Sequence, residues 1–183
     1  MVFKVNEERA KKQNDGNPMT APLLDKVTVH ISVGEGGQKL INAEAIIKTL
    51  TGQSTVRTAA KKTQPSFGIR KGQAIGCKTT LRGERAADFL RRALEIRGNL
   101  LHDFQFDESG NVSFGIVDHT DFSGMTYDPQ VGIFGMDVIV ALKKPGYRVM
   151  RRHALQGRIP VRHRVTREEA IAYLKKNYSM VLG

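Results

Sequence analysis

The chain has 183 residues, of which 40% are hydrophobic, and its 29 lysines and arginines against 18 acidic residues give a formal net charge of +11. This length suits a single domain, and the hydrophobic share is enough for a packed core. The lone cysteine, Cys77, excludes an internal disulfide and a multi-thiolate zinc site. The chain contains no run of ~18 apolar residues and no apolar signal-peptide centre, so we expect a soluble, cytoplasmic protein that does not contact membranes.

The charge is distributed in blocks along the chain. Residues 61–99 carry ten basic and three acidic side chains, and residues 143–183 carry eleven and two. Between them, residues 100–142 carry seven acidic side chains and no lysine or arginine. A protein charged only for solubility would mix its signs, so this pattern indicates a polyanionic partner, for which RNA is the first candidate. A solvated charged surface without a partner is the alternative.

The first half of the chain predicts a strand, a helix and a second strand. Residues 1–22 are polar and predict a flexible arm. Alternating apolar residues over 27–33 predict a half-buried strand, and apolar residues at helical spacing over 40–50 predict an amphipathic helix. A short strand is expected over 54–60. Residues 61–73 combine one proline, two glycines and four cations, which predicts a basic loop.

The second half repeats this alternation of element types. Apolar and polar residues alternate again over 74–82, and an amphipathic helix is predicted over 85–97. Two further strands are predicted over 111–117 and 132–142. The last helix is expected to begin at Thr166, because Thr166 and Glu169 have the spacing of a capping box.

This order of elements predicts an α+β fold in which helices pack on one face of an antiparallel sheet. We expect one domain over residues 23–183, including a basic C-terminal extension over 143–183. The other face of such a sheet can bind a ligand, and we predict that it binds RNA. The strands carry hydroxyl and cationic groups suited to ribose and phosphate, which we expect to share this face: Thr28, His30, Ser32, Thr55, Arg57, Lys78, Thr80 and Arg82.

The extension carries a dense set of arginines with few apolar residues among them. Arginine binds phosphate through two parallel N–H groups, so this composition favours contact with RNA. A nuclear-localisation signal or a membrane-surface segment is the alternative, although the stretch lacks the apolar face that membrane binding needs. The arginines concerned are Arg148, Arg151, Arg152, Arg158, Arg162 and Arg164.

The motifs that would indicate an enzyme are incomplete. The turn Gly34-Glu35-Gly36-Gly37 lacks the last glycine of a dinucleotide-binding fingerprint, because Lys39 occupies that position. The segment Asp118-His119-Thr120-Asp121 has no second ligand group at metal-binding spacing, so turn capping is its expected role. We predict no catalytic residue, no metal and no cofactor. An RNA-modifying or nucleotide-dependent enzyme would need a site that these motifs do not provide.

Several segments, in order, resemble one known family. They occupy residues 27–36, 50–53, 61–72, 75–83, 104–107, 110–116 and 135–138. The most distinctive are Val27-Thr28-Val29-His30-Ile31-Ser32-Val33-Gly34-Glu35-Gly36, Phe67-Gly68-Ile69-Arg70-Lys71-Gly72 and Ile75-Gly76-Cys77-Lys78-Thr79-Thr80-Leu81-Arg82-Gly83. Together they resemble the large-subunit ribosomal protein five family, which binds 5S rRNA, and the resemblance covers residues 22–182.

The resemblance implies a structural protein that anchors 5S rRNA in the central protuberance of the large ribosomal subunit. It also implies contacts with large-subunit rRNA, with neighbouring ribosomal proteins, with the small-subunit head and with peptidyl-site tRNA. By position, the implied 5S rRNA contacts are His30, Ser32, Gln53, Thr80 and Arg82, and the implied tRNA-facing cations are Lys61, Lys62, Arg70 and Lys71. The extension resembles the archaeal or eukaryotic branch of the family. An RNA-binding regulator or chaperone outside the ribosome remains an alternative.

Overall fold

The computed structural model describes residues 17–183, so residues 1–16 of the predicted arm lie outside the described part of the chain. The strands within this range are β1 (Leu23–Ser32), β2 (Val56–Ala59), β3 (Ala74–Leu81), β4 (Leu100–Leu101), β5 (Val112–Ile116), β6 (Met136–Lys143) and β7 (Val181–Leu182). The helices are α1 (Gln38–Thr51), α2 (Glu84–Ile96), α3 (Arg148–Arg151) and α4 (Arg167–Tyr178).

Five strands form one antiparallel sheet in the order β2-β3-β1-β6-β5. The central strand, β1, alternates strictly between buried and partly exposed residues along most of its length. Val27, Val29 and Ile31 are buried, and their neighbours on β3 and β6 with the same phase are buried as well. One face of the sheet is therefore the core face, and the other is open.

The core face is covered by the two long helices that follow β1 and β3. Helix α1 buries Leu40, Ile46, Ile47 and Leu50 among its apolar residues, and α2 buries a stripe that includes Phe89. These side chains, the buried residues of the sheet and α4 form one hydrophobic cluster. The predicted α+β fold, with helices on one face of an antiparallel sheet, is confirmed.

The ends of several elements differ from the predicted ones. Strand β6 begins at Met136 rather than at 132, and a Cβ on Gly135 would lie 3.0 Å from the Val117 carbonyl oxygen, so the chain is tightly packed just before the strand. The two-residue strands β4 and β7, which pair in parallel, and the one-turn helix α3 were not predicted. The predicted capping box is present: Thr166 Oγ1 accepts a hydrogen bond from the Glu169 backbone N–H at 3.4 Å, and the Thr166 backbone N–H donates to Glu169 at 3.1 Å.

The basic extension is folded against the body of the domain. Ile159 and Val165 are buried. Val165 packs so closely on Gly110 that a Cβ added to Gly110 would lie 2.6 Å from Val165 Cγ1. The Lys144 ammonium is buried, pairs with Glu169 and donates to the Arg164 carbonyl oxygen at 3.1 Å. These contacts hold the arginine-rich segment between β6 and α4 at a defined place on the surface.

Candidate nucleic-acid interface

The open face of the sheet carries the polar residues that alternate with the core positions of β1 and β3. In antiparallel strands, residues directly opposite each other lie on the same face. Thr28 is opposite Thr80, and His30 is opposite Lys78. Ser32, at the end of β1, is opposite Gly76. The shared face predicted for these polar residues of β1 and β3 is confirmed.

Gly76 brings β1 and β3 together where no larger residue would fit. A Cβ on Gly76 would lie 2.7 Å from the Ile31 carbonyl oxygen and 3.0 Å from the Thr58 hydroxyl. It would also lie 3.4 Å from His30 Nε2. A glycine inside a strand often marks such a close approach. The close approach of the two backbones therefore depends on position 76 having no side chain.

The electrostatic character of the open face changes across β1. On the β3 side, His30 is opposite Lys78, and Lys26 and the hydroxyls of Thr28 and Thr80 share the surface. On the β6 side, His30 Nδ1 lies 3.6 Å from Asp137 Oδ2. The β3–β1 part of the face is thus suited to an anion, whereas the β6–β5 part begins with a carboxylate.

Arg57 lies on the other face, so it does not share the open face with Thr28, His30 and Lys78 as predicted, and its predicted contact with RNA stays a prediction. The register places Arg57 opposite Cys77, which is a core-face residue, and it places Val56 opposite Lys78. The Arg57 guanidinium donates two hydrogen bonds to Glu44 of α1, at 2.5 and 3.2 Å. A side chain engaged in this pair is directed to the helix layer of the molecule.

Three other predicted residues lie outside the strands of the sheet. Gln53 and Thr55 are half-buried in the connection between α1 and β2. Arg82 follows the last residue of β3 and is half-exposed, and its Nη1 atom lies 3.3 Å from Asp25 Oδ1. Their predicted contacts with RNA remain predictions.

The basic loop joins β2 to β3 and has its own internal hydrogen bonds. Ala60 and Gln73 pair at its base, and Gln64 pairs with Ile69 further out. Between them, Pro65–Phe67 forms one 3₁₀ turn that ends at a left-handed Gly68. The four predicted cations are exposed: Lys61, Lys62, Arg70 and Lys71. Phe67 is 76% exposed, so the loop presents an aromatic ring together with its cations.

The six predicted arginines of the extension are all exposed, and one of them contacts a residue that the sequence did not indicate. Arg151 Nη2 donates to Asp25 Oδ2 at 2.9 Å. Lys143 Nζ lies 2.6 Å from Asp25 Oδ1. Asp25 therefore connects Arg82, Lys143 and Arg151, which come from three separate segments. An acidic residue at the start of an apolar strand was the only available sequence signal.

Asp25 is buried, and its surroundings hold it in the charged form. Burial alone would raise the pKa of this carboxyl, but hydrogen bonds from Lys143 and Arg151, and their positive charges, outweigh it. The net result is a pKa of about 2, below the ordinary value of 3.8. A buried carboxylate needs such compensation to remain ionised.

Other residues with possible chemistry have structural roles. Cys77 is buried in the core, and burial, with a smaller contribution from Glu44, raises the pKa of its thiol to about 11, so it is not a thiolate at neutral pH. His119 is buried, and its Nδ1 accepts a hydrogen bond from the Phe134 backbone N–H at 3.3 Å. Among residues 17–183, no group of three or more histidine, cysteine or acidic side chains could hold a metal ion. No helix in the described part of the chain is long and apolar enough to span a bilayer.

Two family models match almost the whole described chain. Residues 17–70 match ribosomal protein L5, and residues 74–173 match the model for the C-terminus of the same ribosomal protein family. The chain is 51% identical over 164 residues to large ribosomal subunit protein uL5 of Methanococcoides burtonii. This match covers 90% of the present chain and 97% of the relative. It is 55% identical over 157 residues to the uL5 protein of Methanoregula boonei, covering 86% and 95% of the two chains.

A third relative, the uL5 protein of Methanoculleus marisnigri, is 54% identical over 155 residues, covering 85% of this chain and 93% of the relative. Identity at this level over nearly the full length of both chains confirms the family predicted from the ordered segments. The chain therefore belongs to the uL5 family of ribosomal proteins and is a non-enzymatic, structural constituent of the large ribosomal subunit.

Proposed function

We propose that the protein binds 5S rRNA with the open face of its sheet and anchors it in the central protuberance of the large subunit. The observation that carries this proposal is the composition of the β3–β1 part of the face. It combines the cations of Lys26 and Lys78 with the hydroxyls of Thr28, Ser32 and Thr80, and its register partners include no carboxylate. Hydroxyls and cations are the groups that bind ribose and phosphate.

Recognition would depend on charge and shape, with no bond made or broken. Folded RNA presents its phosphates and 2′-hydroxyls in a fixed arrangement, and a rigid sheet can match that arrangement without reading a base sequence. The closely packed β1 and β3, joined over Gly76, provide such a rigid surface. The released counterions make the affinity depend on salt, whereas the fit in shape gives a preference that salt does not remove.

We further propose that the loop over residues 61–73 contacts peptidyl-site tRNA. Its exposed cations and the exposed ring of Phe67 support this role, because nucleic acids are bound by phosphate contacts together with aromatic stacking. The loop contains no acidic residue. It joins β2 to β3 at the edge of the sheet, so it can reach a partner other than the one on the open face.

The acidic segment between the two basic ones suits a protein partner. Residues 100–142 carry seven acidic side chains and would repel an RNA backbone, and Tyr127 and Ile133 within this segment are exposed. Acidic and apolar groups together favour contact with a basic protein surface. We propose that this part of the molecule serves the contacts with neighbouring ribosomal proteins and the small-subunit head.

The experiment that tests the 5S rRNA proposal measures equilibrium binding to 5S rRNA, to a tRNA and to an unrelated RNA hairpin across a salt series. We expect a preference for 5S rRNA of at least ~100-fold, which corresponds to about 2.7 kcal/mol, and we expect it to persist as salt rises. Equal affinities that all fall together with salt would contradict the proposal and would leave a general RNA-binding protein, such as a regulator or chaperone outside the ribosome.

A second experiment separates the two RNA partners. The combined substitution Lys61→Gln, Lys62→Gln, Arg70→Gln and Lys71→Gln removes the cations of the loop and leaves the open face unchanged. We expect 5S rRNA binding to remain within about threefold of the unsubstituted protein, because these residues lie outside the sheet, while ribosomes that carry the variant lose affinity for peptidyl-site tRNA. An equal loss of both would contradict this division.

A further inference from the structure

Asp25 and its three cations join the sheet to the basic extension. Arg82 follows β3, Lys143 ends β6, and Arg151 ends α3 in the extension. Lys143 and Arg82 both reach Asp25 Oδ1, at 2.6 and 3.3 Å, and Arg151 reaches Oδ2 at 2.9 Å. The Asp25 side chain itself is only 4% exposed. One buried carboxylate therefore fixes the relative positions of three positively charged side chains.

The backbone of β1 is irregular at this residue. Leu24 pairs with Leu142 and Lys26 pairs with Ala141, so Asp25 is an extra residue between two consecutive partners. Such a β-bulge changes the direction of a side chain and is common next to functional sites. In β1 the bulge takes Asp25 out of the register with β6, and the buried Asp25 side chain lies among three cations.

The cluster keeps a positive charge that is open to solvent. Three cations against one carboxylate leave a formal surplus of two charges, and the Arg82 and Arg151 side chains are 54% and 50% exposed. A guanidinium has five N–H donors. Among the described residues, Arg151 uses one of its N–H groups, on Asp25, and Arg82 contacts only the Asp25 side chain and backbone oxygen. Both guanidiniums thus have donors left for a second anion.

We propose that Asp25 is a positioning residue that holds Arg82 and Arg151 as one binding site for a phosphodiester group of 5S rRNA, so that the basic extension and the sheet bind the same RNA. This inference rests on the proposed function and extends it to the extension. Three cations on one carboxylate repel one another, and the Asp25 charge offsets this repulsion. The two guanidiniums held on its two oxygens can then bind one phosphate group or two adjacent ones.

The first test compares Arg82→Gln, Arg151→Gln and the double variant in 5S rRNA binding across a salt series. We expect each single variant to weaken binding about 5- to 30-fold and to reduce the salt slope by about 0.7–0.9, the change for one lost phosphate contact. The double variant should lose less than the product of the two single losses, because both guanidiniums serve one site. Arg91→Gln is the matched control, since Arg91 pairs with Asp88 on α2 at 3.5 Å and carries the same charge.

The second test asks whether Asp25→Asn raises or lowers the affinity for 5S rRNA. Removing a negative charge should strengthen binding to any RNA if only the net charge matters. If Asp25 positions the two arginines, the variant should bind 5S rRNA about 5-fold or more weakly while its binding to an unrelated hairpin is unchanged or stronger. Asp25→Glu, which keeps the charge, should restore part of the 5S rRNA affinity. A thermal melt of each variant checks that the protein is folded at the binding temperature.

The outcomes separate this inference from the proposed function. Tight and selective 5S rRNA binding that all of these substitutions leave unchanged would overturn the inference alone. Equal losses on 5S rRNA and on the unrelated hairpin would also overturn it, because the cluster would then be a general basic patch. A parent protein without preference for 5S rRNA would overturn the proposed function, and with it the assignment of this phosphate site.

Discussion

Arg57 Nε lies 2.5 Å from Glu44 Oε1, and this pair joins the edge strand β2 to helix α1 on the core side of the sheet. Hydrogen bonds from Arg57 and its positive charge lower the pKa of the Glu44 carboxyl, although burial opposes them. The same register places Val56 on the open face, opposite Lys78. The cationic residue nearest to the open face at this edge is therefore Lys78 rather than Arg57.

This arrangement predicts different effects of two equal changes in charge. We expect Lys78→Gln to weaken 5S rRNA binding about 5- to 10-fold and to lower the salt slope by about 0.7–0.9, because it removes one cation from the proposed RNA face. Arg57→Gln removes the same charge from the opposite face, so we expect its affinity to stay within about twofold. Filter binding of the two purified variants in parallel measures the difference. A larger loss for Arg57→Gln would show that the RNA contacts the helix side.

Gly76 predicts a strong dependence of stability on a single methyl group. A Cβ at this position would lie 2.7 Å from the Ile31 carbonyl oxygen, which is backbone and cannot move away freely. We expect Gly76→Ala to lower the free energy of unfolding by about 1–3 kcal/mol, as for other overpacked sites. It should also weaken 5S rRNA binding, because the β1 backbone must move at Ile31, between His30 and Ser32 of the proposed RNA face.

Gly115 on β5 provides the matched control for this change. The nearest atom to a Cβ on Gly115 is 3.9 Å away, an ordinary contact distance. We therefore expect Gly115→Ala to change the free energy of unfolding by no more than about 0.5 kcal/mol. Urea denaturation of the two variants gives both values. Similar losses for both would mean that the close approach of β1 and β3 is not the cause.

Alternation along the sequence was sufficient to predict the open face of β1 and β3. Thr28, His30 and Ser32 alternate with three buried aliphatic residues, so the period of two fixes their face. Strand β2 has only four residues, and three of them are exposed, so exposed and buried residues do not alternate along it. A shift of one residue reverses every side chain of a strand, and nothing in so short a strand specified which phase was correct. Arg57 was misplaced for this reason.

Two other features could not be read from residue patterns. The bulge at Asp25 depends on how β1 pairs with β6, which is a relationship between residues over a hundred positions apart. The extension looked like an exposed arginine-rich tail because its apolar residues are few and widely spaced. Ile159 and Val165 are nevertheless buried, and Val165 packs on Gly110 in the body of the domain, so single buried residues rather than a periodic pattern hold the extension.

The buried pair between Lys144 and Glu169 predicts that the extension contributes to stability. The Lys144 side chain is only 4% exposed, and its Nζ lies 2.7 Å from the Glu169 carboxylate. The substitution Lys144→Ala removes the buried ammonium that pairs with Glu169 and donates to the Arg164 carbonyl oxygen, and breaking a buried pair is destabilising. We expect Lys144→Ala to lower the free energy of unfolding by about 2–4 kcal/mol, with the smaller value favoured because Glu169 retains some access to water.

Lys39 offers a control for this substitution. Its Nζ lies 3.1 Å from Glu35, and both side chains are well exposed. Exposed pairs of this kind contribute between about 0 and 1 kcal/mol, so Lys39→Ala should have a small effect on the urea midpoint. Limited proteolysis should cleave the Lys144→Ala variant first within residues 145–165. Equal midpoints for the two variants would show that the extension is held by its apolar contacts alone.

The depressed pKa of Asp25 predicts how stability depends on acid. The carboxyl has a pKa of about 2 in the folded protein against 3.8 as its ordinary value, so the folded state favours the charged form. Its contribution is therefore fully present above pH ~4 and is lost as the pH falls from about 4 toward 2. At 1.36 kcal/mol per pKa unit, the expected contribution at neutral pH is about 2 kcal/mol.

Urea denaturation of the parent protein and of Asp25→Asn, repeated at several pH values, measures this contribution. The two free energies of unfolding should differ by about 2 kcal/mol at pH 7 and converge below pH 4. A difference that stays constant with pH would mean that Asp25 stabilises the fold through packing, and not through its charge on Lys143 and Arg151.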